Sequence, residues 1–140
     1  KRVEVEKIRQ IIILAFGTLN MAKVLIVDDS AFTRHLLGVI VKMGGHEVIG
    51  TAEDGKQGLQ MFKTLRPDLV TLDWLMPSKS GEAVLKKIIQ MDPEAKVIMI
   101  TGWANSSIEG RVLEAGAKAF MEKSNVQKEL LTVMERVLEA

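Results

Sequence analysis

In the stretch VLIVDDS, residues 24 to 30, two adjacent carboxylates, Asp28 and Asp29, follow directly on four aliphatic residues. Three later apolar runs also finish on chemistry: LVTLD ends in Asp73, VIMIT in Thr101, and KAFMEK leads into Lys123. Taken singly, each has an ordinary use, since Asp and Thr after a strand commonly cap helices and a lysine there commonly faces solvent. Taken together, they are what phosphoryl transfer asks for. Carboxylates brought together without compensation raise one another's pKa values. A hard divalent cation relieves this, and Mg2+ prefers oxygen ligands, keeps several waters and takes one or two protein carboxylates. On this reading Asp28 and Asp29 are half of a Mg2+ cradle, and Asp73 can ligate with one oxygen while offering the other as a nucleophile. Carboxylates do form covalent phosphoryl intermediates. Mg2+ and the Lys123 ammonium would neutralise charge on the incoming phosphoryl oxygens and Thr101 would donate to one of them. Such positioning and electrostatics are most of the catalysis required.

These residues can act together only if the fold brings them together. From Met21 onward, short Val- and Ile-rich runs alternate with segments whose apolar residues recur at helical spacing. The strand candidates are residues 23–27, 47–51, 68–72, 96–100 and 118–121, apolar almost throughout, as parallel strands covered on both faces should be. Between them run helical stripes: Phe32, Leu36, Val39, Ile40 and Met43; Leu59, Phe62 and Leu65; Leu85, Ile88 and Ile89; Ile108, Val112 and Ala115; Leu130, Met134, Val137 and Leu138. The glycine pair at 44 and 45, Pro67, Pro93 and Gly116 punctuate them. Five strand-then-helix units with right-handed crossovers predict an α/β fold, an open doubly wound parallel sheet. In such sheets the reactive crevice lies beyond the carboxyl ends of the strands, where all the singled-out residues stand.

Composition bounds the alternatives. A chain of 140 residues, 47% hydrophobic, fits one domain that buries roughly two thirds of its unfolded surface. Lys and Arg total 19 against 18 Asp and Glu, so the basic stripe expected of a nucleic-acid binder is missing. No cysteine is present, which excludes disulfides and thiolate metal sites and fits a reducing cytosol. The longest strictly apolar run, IIILAF at 11 to 16, is too short to span a bilayer. His35 and His46 have no ligand-spaced partners and read as structural residues, and the eight methionines as core filler.

The segments VLIVDDS, LVTLDWLMPSKSG, VIMITG and GAKAFMEKS resemble the motifs of the receiver domain of two-component response regulators, the CheY-like family. The resemblance covers residues 21 to 140 and implies a flavodoxin-like (βα)5 fold with strand order 2-1-3-4-5, an order of which CheY-type proteins are themselves a standing example. It implies that Asp73 is the phosphoacceptor, charged from a phosphohistidine on a sensor histidine kinase or phosphotransfer protein. Asp28, Asp29, Asp73 and the Leu75 backbone carbonyl would hold Mg2+, and Thr101 and Lys123 would contact the phosphoryl group. Phe120 would be the switch aromatic that turns inward once Thr101 is recruited, and Gly102 the small neighbour that leaves the phosphoryl room to enter. The surface moved would be that of the helix after strand four, strand five and the helix after it, read by a downstream protein target.

The chain departs from the family in three places. Ser124 stands where proline usually follows the lysine, and in the family that peptide bond is typically cis; without proline the cis form costs roughly 2.5 to 4 kcal/mol. The family precedent leads us to expect a retained cis bond. Leu75 and Trp103, two residues past Asp73 and Thr101, put apolar groups beside the acyl phosphate, which predicts slow hydrolysis. Trp74 and Trp103 bracket the site and should report ligand binding by fluorescence. Phe120 lacks a hydroxyl, so only packing can hold its inward state.

Residues 1 to 20 lie outside the family pattern as an extension, tag or linker. An ordered IIILAF must bury its apolar face on its own receiver or on a second chain, and we expect a helix that supports a dimer contact. No effector domain follows Ala140, so direct nucleic-acid binding by this chain and membrane insertion are not expected. The rival readings are three. A haloacid-dehalogenase-type phosphatase also uses an aspartyl phosphate and Mg2+, but needs its nucleophile two residues before a second acid on strand one. A nucleotide or flavin module needs a glycine-rich turn after strand one, absent here. A scaffolding receiver would not need the full set of acids, Thr101 and Lys123.

Overall fold

The computed structural model describes residues 2–16, 21–77 and 79–140; residue 1, residues 17–20 and Ser78 lie outside it, as do the side chains at 9 and 13–16. Five parallel strands, β1 (Lys23–Val27), β2 (Glu47–Ala52), β3 (Leu69–Asp73), β4 (Val97–Thr101) and β5 (Ala119–Glu122), form one sheet in the order β2-β1-β3-β4-β5. The helices are α1 (Arg2–Phe16), α2 (Ala31–Met43), α3 (Gly55–Leu65), α4 (Gly81–Met91), α5 (Ser106–Glu114) and α6 (Val126–Glu139), with a 3-10 turn at Lys123–Asn125 before the last.

Strand alternation divides the core into two layers. Val24, Ile26, Leu69, Ile98, Ile100 and Met121 point to one face, where α2 contributes Leu37, Ile40 and Val41 and α6 contributes Leu130, Met134 and Val137. Leu25, Val27, Val70, Leu72, Val97 and Met99 point to the other, against Phe62 of α3, Val84, Leu85 and Ile88 of α4 and Val112 of α5. Each of the large side chains in these layers contributes about 1.5 to 3 kcal/mol by burial. The strands at the centre of the sheet are apolar on both faces because both faces are covered.

Among the remaining buried polar groups, His46 has a structural use. His46 accepts from the Ala22 N–H at Nδ1, 3.0 Å away, and burial holds its pKa below the ordinary histidine value, so it acts as a neutral acceptor that ties the start of β1 to the loop before β2. Its Nε2 lies 3.9 Å from Oε1 of the buried Glu135 on α6.

Three expectations need correction. β3, β4 and β5 each begin and end one residue later than the apolar runs predict, because the ladder continues through Asp73, Thr101 and Glu122. The stripe assigned to α2 is rotated: Phe32, Val39 and Met43 are exposed, and Thr33, Leu37, Ile40 and Val41 form the buried face. With apolar residues all around α2, periodicity alone could not choose the face. No cis peptide bond occurs among the described residues, so Lys123–Ser124 is trans, contrary to expectation. Without proline the trans form is favoured, and the chain passes from β5 directly into the 3-10 turn.

α1 lies outside the two-layer sandwich, on α6. Its Gln10 Nε2 donates to the Lys128 carbonyl, 2.8 Å away. Of the apolar run expected to be buried, Ile11 and Ile12 remain 62% and 40% exposed; the side chains of the rest of the run are outside the described part.

Candidate functional site

The helices that begin at the carboxyl edge of the sheet are capped by residues other than the acids. Ser30 accepts from Thr33 N–H at the start of α2, Asp54 from Gln57 N–H at α3, Ser80 from Ala83 N–H at α4 and Asn105 from Ile108 N–H at α5. The capping use of Asp28, Asp29, Asp73 and Thr101 is therefore taken, and these four side chains are left for other work. The same caps leave the α2, α4 and α5 N-termini, with their partial positive charge, at this edge.

Asp28 follows β1 and Asp73 closes β3, its neighbour in the sheet. Oxygens of Asp28, Asp29 and Asp73 all lie within 4.8 Å of one another, with Asp28 and Asp73 buried and Asp29 exposed. Lys123 reaches in from the end of β5, its Nζ 3.1 Å from Asp28 Oδ2 and 3.5 Å from Asp73 Oδ2. The Ser30 N–H donates to Asp28 Oδ1 at 2.8 Å, and the Leu75 N–H to Asp73 Oδ1 at 3.4 Å.

The electrostatics follow from burial. Burial, and then the charge of Asp28, raise the Asp73 carboxyl from 3.8 to about 7, against the opposing pull of Lys123. For Lys123 burial acts downward, but its hydrogen bond to Asp28 and the charges of Asp73 and Asp28 outweigh it and hold the ammonium above the ordinary lysine value. One ammonium thus serves two buried carboxylates. Asp28 Oδ2 makes no hydrogen bond among the described residues despite its burial, and the positive charge beside it is the Lys123 ammonium at 3.1 Å. A buried carboxylate oxygen left in that state beside two further acids fits a hard cation, so the donor set present is suited to a metal with oxygen preference.

Thr101 closes β4, one strand beyond Asp73, and is buried; its hydroxyl accepts from the Trp103 N–H at 3.1 Å. Phe120 pairs with Met99 in the β4–β5 ladder and so lies on the same sheet face as Met99 and Thr101, half-buried against the second core layer. A Cβ added at Gly102 would meet nothing nearer than Lys123 Cδ at 4.0 Å. Leu75 and Trp103 are 65% and 75% exposed, so neither covers core. Trp74 is half-buried and its Nε1–H has no hydrogen-bond partner among the described residues.

Two contributors are not legible in the sequence. Arg34 Nη1 donates to the Asp28 carbonyl at 2.8 Å, fixing the backbone of the acid pair from the second turn of α2. Gly81 lets α4 approach the back of the site: a Cβ there would collide with the Asp73 carbonyl oxygen and lie 2.7 Å from Trp74 Cα. The glycine eight residues after Asp73 is visible in the motif, but the close approach that requires it is not. Arg34 carries no sequence signal, since a helical arginine is ordinarily solvated.

Comparison with known proteins adds an independent line. The family model described as the response regulator receiver domain matches residues 24–135. Protein CcdB of Bacillus subtilis is 40% identical over 118 residues, 84% of this chain and 98% of that protein. The chemotaxis protein CheY of Thermotoga maritima is 36% identical over 115 residues, 82% of this chain and 96% of that protein. Among solved structures, a CheX–CheY complex with BeF3 and Mg2+ from Borrelia burgdorferi superposes with a TM-score of 0.74 at 35% identity, covering 80% of this chain and 88% of that one.

Proposed function

The chain belongs to the response regulator receiver family, and from that premise we propose that it takes a phosphoryl group onto Asp73 and passes the change to a protein partner. The observation that carries the assignment to Asp73 is its position: a buried carboxylate at the end of a central strand, 3.5 Å from the Lys123 ammonium and in reach of two further acids.

The donor is a phosphohistidine on a sensor histidine kinase or phosphotransfer protein. An Asp73 carboxylate oxygen attacks phosphorus, the P–N bond breaks, and the departing imidazole keeps the electron pair and takes a proton from solvent. Asp28, Asp29, Asp73 and the Leu75 carbonyl hold Mg2+, which when bound supplies positive charge that favours ionised carboxylates and offsets charge on the phosphoryl oxygens. Lys123 moves from the carboxylates toward those oxygens, and its raised pKa keeps it cationic throughout. The Thr101 hydroxyl turns to donate to a phosphoryl oxygen, a contact available in only one state, and such a contact is what shifts a population. Phe120 follows it inward on the shared sheet face, and the face made by α5, β5 and α6 changes. Phosphotransfer and its reversal by water are in this reading catalysed by the receiver itself, a signalling domain located in the cytosol. Val5, Ile8, Ile11 and Ile12, between 40% and 62% exposed on α1, are covered by a second copy in a dimer.

Mass spectrometry after incubation with acetyl phosphate and Mg2+ tests the assignment. One phosphoryl group on the wild-type chain and none on Asp73→Asn is the expected result. Labelling that survives Asp73→Asn would refute it, and steady turnover of a phosphomonoester would favour the phosphatase reading.

A further inference from the structure

α1 lies outside the residues that the receiver family model matches, yet it is seated on a defined part of the receiver. Between α1 and the sheet edge runs a groove of about 510 Å3, lined on one side by Arg2, Glu6 and Gln10 and on the other by Phe120, Thr132 and Val133. Across it Gln10 donates a hydrogen bond to the Lys128 carbonyl. We propose that α1 is a cis-acting cover of the β5–α6 face, seated while Phe120 lines the groove and released when Asp73 is phosphorylated. This rests on the phosphoacceptor and Phe120 roles given above.

Two observations and one thermodynamic relation carry it. First, the described part of the seating is largely polar. α1 meets the groove with Arg2, Val3, Glu6 and Gln10, and among its described side chains Val5, Ile8, Ile11 and Ile12 remain 40% to 62% exposed. A helix of 15 residues is marginal by itself, and a contact of this kind is open to exchange. Second, the groove wall includes the residue that moves. Phe120 shares a sheet face with Thr101, so a ring drawn toward Thr101 is withdrawn from the α1 side. α1 therefore has more to touch in one receiver state than in the other, which is the condition for coupling. Third, coupling is reciprocal: if phosphorylation weakens α1 seating by some factor, unseating α1 favours the phosphorylated state by the same factor. Release uncovers β5 and α6 for a protein partner. The partner that fits is a helix of the same character as α1, setting amide and charged side chains beside a narrow apolar floor of Phe120, Met121 and Val133.

Hydrogen–deuterium exchange on the full chain, with and without beryllofluoride and Mg2+, reads both ends of this coupling. The expected result is protection of the peptide around residues 69–77 together with several-fold faster exchange at residues 2–12 and the first turn of α6. Protection at the site with α1 exchange unchanged or slowed overturns the cover while leaving the phosphoacceptor reading intact. No protection at the site removes that reading, and the coupling with it. The variant Gln10→Ala, in the full chain, gives a second arm. Loss of one hydrogen bond should speed exchange at residues 2–12 roughly two- to twelve-fold and tighten beryllofluoride binding by up to the same factor. Alanine is the better helix former, so faster exchange there reports lost seating rather than lost helicity. Unchanged exchange and unchanged affinity in Gln10→Ala would overturn the proposal.

Discussion

Removing the charge of Asp73 should make the metal-free protein more stable, and by an amount that grows with pH. The carboxyl is 3% exposed and its pKa is raised from 3.8 to about 7, chiefly by burial and then by Asp28. A raised folded-state value means that the native state holds the proton more tightly than the unfolded chain. This contribution to stability is complete below pH 3.8 and is lost steadily as pH rises to about 7. At about 1.36 kcal/mol per pKa unit, this difference in proton binding lowers the stability of the metal-free fold by about 4 kcal/mol at pH 8 and about 2 at pH 5. Asn keeps the shape without the charge. In urea titrations with EDTA, Asp73→Asn should therefore exceed wild type by up to about 4 kcal/mol at pH 8, and by about half that at pH 5, with m unchanged. The Lys123 ammonium loses a partner in the variant, which trims both figures. Mg2+ added at pH 8 should close the gap by stabilising wild type, whose three acids bind it better than two. Equal stabilities at pH 8 in EDTA, or a gap that widens toward pH 5, would refute the electrostatic account of the site.

Other expectations are more local. Gly81→Ala should cost about 3 kcal/mol by forcing α4 away from the Asp73 carbonyl. In the same thermal melts Gly110→Ala, whose Cβ meets nothing within 4 Å, should be neutral or gain up to about 1 kcal/mol. Lys123→Ala strips the counter-charge from two buried acids, so metal-free stability at pH 8 should fall by about 1 to 3 kcal/mol and labelling by acetyl phosphate should slow at least tenfold. Trp74 emission should respond to Mg2+ or beryllofluoride even in Trp103→Phe; a flat titration there would speak against a metal between these acids. Leu75→Asn and Trp103→Ala should each speed loss of the phosphoryl group about three- to tenfold, a barrier change of about 1 kcal/mol. Unchanged decay would show that these exposed side chains do not keep water from the acyl phosphate.

The sequence alone determined the architecture and the roster of the site. Short, continuous aliphatic runs alternating with helical stripes admit few folds, and the carboxyl ends of those runs are where Asp28, Asp29, Asp73, Thr101 and Lys123 stand in the chain. Such patterns are legible because burial imposes them residue by residue along the chain. Tertiary structure decided what depends on how elements approach one another. It set the buried face of α2, where apolar residues at Phe32, Val39 and Met43 left the choice to packing against β1 and α6. It exposed the need for glycine at 81, set the Lys123–Ser124 bond trans, and divided one ammonium between Asp28 and Asp73. It also laid α1 on α6, with Gln10 bonded to the Lys128 carbonyl. The physical reason is common to all of them: pattern records whether a residue is covered, whereas distances of about 3 to 5 Å between strands far apart in sequence arise only once the layers close.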